Sequence, residues 1–317
     1  MMDLPLVSVI VATYNQEKSV EEALTSILNQ TYRNVEIIVS DDASVDRTSA
    51  ILTKLAAKNP TLLLFLQEKN LGITDNYNFL AEKARGKYVS YFSGDDVMCE
   101  RKIELQVNAL EKNLDASFCH HAVYSLNASN GKVRGIISQK YLNDVTTVHD
   151  ILRNLGVPGS MSIMNRRSLA KNPVFDRNIR TASDWLFLIH LAMVGKGIYI
   201  DSPLCYYRQD DAYNNKDTSK YEADFRKTIE LTKATYANAG DAIDQSCDYA
   251  EARYALGAGF RSLLNRDIPS ARRLFSSKMF GVRLVVLSKL LLIISYLPNS
   301  PTFLLRCKKL FKAIERS

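Results

Sequence analysis

Two short segments, VSVIVA at 7–12 and VEIIVS at 35–40, limit the fold of this 317-residue chain more than any other feature. Each is a nearly unbroken β-branched run, the signature of a strand buried on both faces, as in a parallel sheet covered by helices. Between them Val20, Ala23, Leu24, Ile27 and Leu28 recur at i, i+3, i+4, i+7 and i+8, which is one face of an amphipathic helix. Asp46 then precedes a second helical pattern through Ile51, Leu52 and Leu55, Pro60 breaks it, and Leu62 to Leu66 reads as a third strand. A third helix, roughly Thr74 to Arg85, leads to a strand beginning at Tyr88. The first hundred residues therefore read as a right-handed, doubly wound α/β domain.

The strand at Tyr88 stops at Ser93-Gly94 and is followed at once by Asp95 and Asp96. Two adjacent carboxylates usually need a cation. The carboxyl edge of an open α/β sheet is also where ligands bind. Chemistry on a metal-bound, phosphate-containing substrate follows, with Asp96 as the metal ligand and Mg²⁺ or Mn²⁺ suiting an oxygen-only site. The earlier strands also end in polar turns, at Thr13-Tyr14-Asn15, Asp41-Asp42 and Lys69-Asn70. Alone, each reads as a turn or cap; four such turns at one edge read as a site. No GxxxxGK[ST], GxSxG or dinucleotide glycine pattern is present. Their absence argues against P-loop hydrolysis, serine esterase chemistry and dinucleotide binding. His120, His121, His149 and His190 show no HExxH or comparable metal spacing.

VSVIVATYNQ, SILNQTYRNVEIIVSDDASVDRT and EKNLGITDNYNFLAEKARGKYVSYFSGDD resemble, in order and spacing, the nucleotide-binding half of family 2 glycosyltransferases, whose fold is called GT-A. TASDWLFLIHLAMVGKGIYIDSPLCYYRQ resembles the acceptor half of the same family more loosely, and nothing after about Ala223 is recognised. The resemblance implies a GT-A type, Rossmann-like, mixed and mainly parallel sheet flanked by helices. It also implies transfer of a sugar from a nucleotide donor with inversion, uridine diphosphate being favoured by family frequency. Carried over residue by residue, Asp41 accepts a hydrogen bond from the pyrimidine ring, and Thr13, Tyr14 and Asn15 wall the nucleotide pocket. Lys69 and Asn70 reach the nucleotide, and Asp95 faces the ribose or shares the metal with Asp96. The family more often carries an acid two places before the last Asp, where this chain has Gly94.

An acceptor hydroxyl needs a base, and Asp184 matches the family's base, although Ser183 stands where Glu is common. Asp184 lies just before an apolar helical pattern (Trp185, Leu188, Ile189, Ala192), so a helix N-cap formed by Ser183 or Asp184 is the competing reading. Trp185, the only tryptophan, reads equally as a platform for the acceptor sugar or as core. Tyr206-Tyr207-Arg208 resembles a Tyr-Arg element that the family often follows with His, whereas here Asp210 follows. Arg208 reads as a pyrophosphate contact or as an exposed loop cation.

Charge divides the chain. From Arg253 onward thirteen Lys or Arg face two acids, so the net charge of +7 belongs to the C-terminal part. There Leu284 to Leu297 is apolar except for Lys289 and two serines, too short to span a bilayer as a helix. It reads as a helix lying on an anionic membrane surface or as the core of a small bundle. Nucleic acid is not expected as a partner, since no stacking pattern accompanies the basic tail. Five widely spaced cysteines without CxxC suit a reducing cytoplasm. The first strand starts within six residues, which leaves no room for a signal peptide. The organisation expected is a catalytic domain over 1–215, divided at 100 into nucleotide and acceptor halves, with a helical C-terminal region over 216–317. The function expected is a glycosyltransferase of bacterial surface polysaccharide assembly, acting on a glycan or lipid-linked glycan acceptor and located in the cytoplasm or peripherally on the inner face of its membrane. The rivals are a non-catalytic nucleotide-sugar-binding module of the same fold and a nucleotidyltransferase.

Overall fold

The computed structural model describes residues 4–139, 144–179, 183–209, 219–277 and 282–296. Asp210 and Leu297, named above, lie outside them, as do Pro298, Cys307, Lys308, Lys309, Lys312 and the side chain of Arg283. The chain forms two compact units, Met1–Ile151 with Gly156–Thr228, and Leu152–Leu155 with Ile229–Ser317.

In the first unit the expected alternation is present: β1 (Val7–Thr13), α1 (Val20–Leu28), β2 (Val35–Asp41), α2 (Thr48–Lys58), β3 (Leu62–Leu66), α3 (Ile73–Lys83) and β4 (Tyr88–Ser93). The chain continues through β5 (Val97–Met98), α4 (Lys102–Lys112), β6 (Ala116–Asn127), β7 (Val133–Ile137), β8 (Val145–Thr146), α5 (Val148–Asn154), β9 (Met164–Arg166), α6 (Ser183–Val194), β10 (Lys196–Gln209) and α7 (Ser219–Thr235). One mixed sheet runs in the order β3-β2-β1-β4-β9-β6-β10-β5, with β7 on β6 and β8 on β10. β1 is parallel to both β2 and β4, and the register sets Thr13 opposite Asp41 and Ala12 opposite Ser93, so three strands end at one edge. β9 is antiparallel to β4 and β6, which restores the parallel direction in β6 and β10. β10 shifts register on either side of Pro203, then pairs Cys205 and Tyr206 with the short strand after Asp96.

Every residue of β1 is buried, as its unbroken apolar run demands. Val7, Val9 and Val11 pack with Leu24 and Ile27 of α1, Leu52 of α2 and Ile103 and Val107 of α4. Phe92 belongs to this cluster, so by strand alternation Tyr91 faces the other side. There its ring meets Tyr77 of α3, Phe175 and Phe187 of α6 at centroid distances of 5.2 to 6.3 Å. Asn78 of α3 ties this layer to the segment before α6. Its amide donates to the Phe175 carbonyl (2.9 Å) and accepts from the Phe175 N–H (2.8 Å). Asn78→Ala leaves both buried backbone groups unpaired, so a loss of about 2–4 kcal/mol is expected in denaturant unfolding.

The second unit contains α8 (Asp241–Leu264), α9 (Ile268–Phe275) and α10 (Val282–Ile294). Asp267 caps α9 by accepting from Ser270 N–H. Gly259 lets α9 approach α8 closely, because a Cβ there would lie 2.6 Å from the Phe275 ring. Leu291 of α10 is fully buried with Leu263, Ala271 and Phe275. No helix among the described residues is long and apolar enough to cross a membrane.

Candidate active site

The polar turns that follow β1, β2, β3 and β4 are laced to one another by hydrogen bonds. Asn15, in the left-handed region at φ 52°, donates its N–H to Ser44 Oγ and accepts from Val45 N–H, joining the first turn to the second. Asp42 accepts from Leu71 N–H (2.7 Å) and Gly72 N–H (3.0 Å) while Asn70 donates to its carbonyl, joining the second to the third. Gln16 donates to Ser93 Oγ and Ser19 to the Gly94 carbonyl, joining the first to the fourth. Tyr14, Asn15, Lys69 and Asn70 are exposed around the buried side chains of Thr13, Asp41 and Asp42. The Asp41 carboxylate accepts from Ser44 N–H, Ser44 Oγ (2.5 Å), Ser49 Oγ (2.7 Å) and Thr13 Oγ1 (3.3 Å). A carboxylate offers about four such places. Contact with a base through Asp41 therefore requires one of these donors to yield.

Asp95 and Asp96 are not equivalent. Asp95 is half-buried, whereas Asp96 is 2% exposed and accepts from the Arg208 N–H at 3.0 Å. Burial, and then the charge of Asp95, hold the Asp96 carboxyl well above the usual range. Glu36, at the far end of β2, shows the opposite balance. Burial raises it too, but bonds from the Ser8 hydroxyl and the Arg85 backbone and guanidinium outweigh burial and lower it. Asp96 lacks any such set, and the charge it calls for is positive. Among the described residues no three His, Cys, Asp or Glu side chains cluster. Asp95 and Asp96 could hold a Mg²⁺ or Mn²⁺ ion, which would keep other coordination positions for diphosphate and water.

Arg208 is built into this corner. Its Nε donates to the Asp95 carbonyl (2.7 Å) and its terminal nitrogen to Glu22 of α1 (2.7 Å). Of the two earlier readings, an exposed loop cation does not describe it. Gly94 is also a packing requirement, since a Cβ there would lie 2.4 Å from Gln16 Oε1 and 2.8 Å from Thr13 Cγ2.

A cavity of about 240 Å³ is lined by Asp95, Asp96, Ser93, Tyr77, Tyr207 and Asp184, with the Gly159–Met161 turn on another side. It joins the acid pair of the donor edge to the candidate base. The charges of Asp95, Asp96 and Asp184, after burial, all raise the Tyr77 phenol, which donates to the Phe92 carbonyl. Asp184 is half-buried in the first turn of α6, its carboxyl raised by burial and partly restored by backbone N–H groups of Trp185 and its own residue. Ser183 donates its hydroxyl to the Asp176 and Ile179 carbonyls, bracing the helix start. Trp185 is 7% exposed and stacks on Phe225 at 5.1 Å, with its Nε1 donating to the Ile151 carbonyl. It does not line the cavity, so the core reading describes it. Tyr207 belongs to the Tyr-Arg element read from the sequence, whereas no local pattern marks Glu22, Gln16 or Tyr77.

The sequence profile described as Glycosyl transferase family 2 matches residues 8–172, just over half of the chain. The chain belongs to that family. An uncharacterized glycosyltransferase of Haemophilus influenzae is 35% identical over 112 residues, covering 35% of this chain and 45% of that protein. One of Methanocaldococcus jannaschii is 29% identical over 190 residues, covering 59% and 65%. Chondroitin synthase of Escherichia coli is 27% identical over 224 residues, covering 71% of this chain and 31% of the synthase. The chain thus spans less than two thirds of the length of these relatives. Residues 1–349 of S. aureus TarS, solved in complex with UDP, share the fold with a TM-score of 0.66 at 20% identity, covering 92% of this chain and 89% of that one. GalNAc-T7, solved with UDP, GalNAc and Mn²⁺, does so with a TM-score of 0.58 at 14% identity, covering 80% and 51%. The mainly parallel sheet flanked by helices is of the GT-A type, as expected.

Proposed function

We propose that the chain is a metal-dependent, inverting glycosyltransferase that moves one sugar from a UDP-sugar to an acceptor hydroxyl, in assembly of a bacterial surface polysaccharide on a lipid-linked glycan. The observation that carries this reading is that Asp95, Asp96 and Asp184 line one cavity together. Membership of family 2 supports the reaction class, and the TarS complexes with UDP and UDP-GlcNAc support the donor nucleotide. Asp96, with Asp95, holds the cation, which when bound stabilises the charge of the departing diphosphate. The turns at Thr13–Asn15, Asp41–Asp42 and Lys69–Asn70 hold the nucleotide, and Arg208 fixes the acid pair against α1. Asp184 accepts the acceptor's proton as the acceptor oxygen bonds to the anomeric carbon and the bond from that carbon to the diphosphate oxygen breaks. One displacement inverts that carbon. The basic C-terminal region brings the enzyme to the anionic inner surface of the cytoplasmic membrane.

The test is to incubate the protein with UDP-sugars with and without Mn²⁺, measuring UDP release and, with an acceptor glycan, the anomeric configuration of the product. Metal-dependent release and an inverted product support the reading. Nucleotide binding without release favours the binding module. Asp184 adds a pH signature. Only its ionised form takes a proton, and burial raises its pKa. Turnover should therefore fall as pH drops through a value above that of an ordinary aspartate, and an acid limb at the ordinary aspartate position would argue against Asp184 as the base.

A further inference from the structure

The apolar run at the C-terminus was open to two readings, bundle core or membrane surface, and α10 gives each a face. Leu291 is 0% exposed in the core of the second unit, and Leu287, Leu292 and Ile294 pack against the same cluster. Ser288 and Ser295 are buried too, donating to the Phe275 and Leu292 carbonyls. On the other side Val286, Leu290, Ile293 and Tyr296 are 51 to 65% exposed. Their spacing of four, three and three residues makes one stripe along the helix, with exposed Lys289 beside it. A helix apolar all round belongs in an apolar environment on every side, and an open stripe of large side chains marks an interaction surface.

We propose that this stripe is the face with which the protein lies on an anionic lipid bilayer, α10 resting along the interface. The proposal deepens the peripheral-membrane part of the proposed function and rests on it. Three observations fix the occupant. The stripe covers about 15 Å of helix, half the roughly 30 Å of bilayer hydrocarbon, so it suits lying on the surface rather than crossing. The charge beside it is positive, since exposed Lys289 flanks the stripe, and the sequence from Arg253 onward carries thirteen basic residues against two acids. At its C-terminal end Arg272 of α9 stacks on the Tyr296 ring at 3.6 Å and donates to the Ser295 carbonyl, setting a cation and a phenol together. Such side chains favour the boundary between headgroups and acyl chains. A second copy of the chain is a poorer occupant. Pairing two stripes would bring two Lys289 cations together, and four half-exposed side chains fall well short of the roughly 1,200–2,000 Å² of a stable interface.

The full chain should co-sediment with vesicles of phosphatidylcholine containing phosphatidylglycerol but not with phosphatidylcholine alone, and less as salt rises. Leu290→Glu with Ile293→Glu should lower partitioning by about 100-fold or more, and Lys289→Gln by about fivefold. Both sites are exposed, so the thermal midpoint and donor hydrolysis should stay unchanged. Leu291→Ala, on the buried face, should lower the midpoint instead. If the chain ignores acidic vesicles at low salt, the membrane assignment itself fails. If it binds them and the double variant binds equally, the membrane assignment stands and the stripe is not the docking face. A wild-type dimer in light scattering that the double variant dissociates, without vesicle binding by either, would overturn the proposal in favour of self-association.

Discussion

Replacing Asp96 with asparagine is expected to abolish sugar transfer, by about 10³-fold or more in kcat/KM, equivalent to about 4 kcal/mol of transition-state stabilisation. The size follows from the role proposed: the departing diphosphate develops charge that only a cation held at this carboxylate offsets. The same substitution separates function from folding. Burial and the neighbouring Asp95 raise the Asp96 pKa in the fold, so the ionised group costs stability at any pH above that raised value. An asparagine removes that charge and keeps an oxygen for the Arg208 N–H. Without metal the thermal midpoint should hold or rise, while the stabilisation conferred by UDP with Mn²⁺ is lost. That stabilisation is roughly 2.7 kcal/mol for wild type at a hundredfold excess over Kd. Normal turnover by the variant would remove Asp96 from the mechanism.

Asp184→Asn is expected to act on a different quantity. Donor affinity should be retained, because the proposed nucleotide contacts come from the β1, β2, β3 and β4 turns, while kcat falls by about 10² to 10⁴. Burial raises the Asp184 carboxyl on balance, so the neutral asparagine should leave the thermal midpoint unchanged or slightly higher. Isothermal titration with UDP and a turnover assay corrected for folded fraction distinguish the cases. A destabilised variant with unchanged turnover per folded molecule would mean that Asp184 serves the helix and not the acceptor.

Legibility in the sequence followed the range of the interactions. Val7–Ala12, Val35–Ser40 and Leu62–Leu66 declare themselves because a doubly buried strand is apolar by itself, and the observed elements begin where those runs begin. The second half of the sheet is different. β6 reads ASFCHHAVYSLN, with two buried histidines, and β10 carries Pro203 and three register shifts against β6. β9 is three residues held only by its neighbours. In the site, adjacent acids are visible in sequence, yet which of them is buried depends on Arg208, 112 positions away. Trp185 was ambiguous because its local pattern suits either role, and Phe225 decides it. The run at 284–297 was ambiguous because both faces of α10 are apolar, and only the packing of α9 against one of them tells them apart.

The bond from Arg208 to Asp96 also bears on when the protein matures. A ribosome delivers the chain from the N-terminus at about 5–20 residues per second. β1, β2 and β3 have their parallel strand partners, and β4 its pairing with β1, once the turn after β4 is available. Asp96 does not: its Arg208 donor and the β10 segment that pairs β5 arrive more than a hundred residues later. Contacts so distant in sequence form slowly. A nascent chain thus acquires its nucleotide-side turns early and completes its acid pair late, when the last strand enters the sheet.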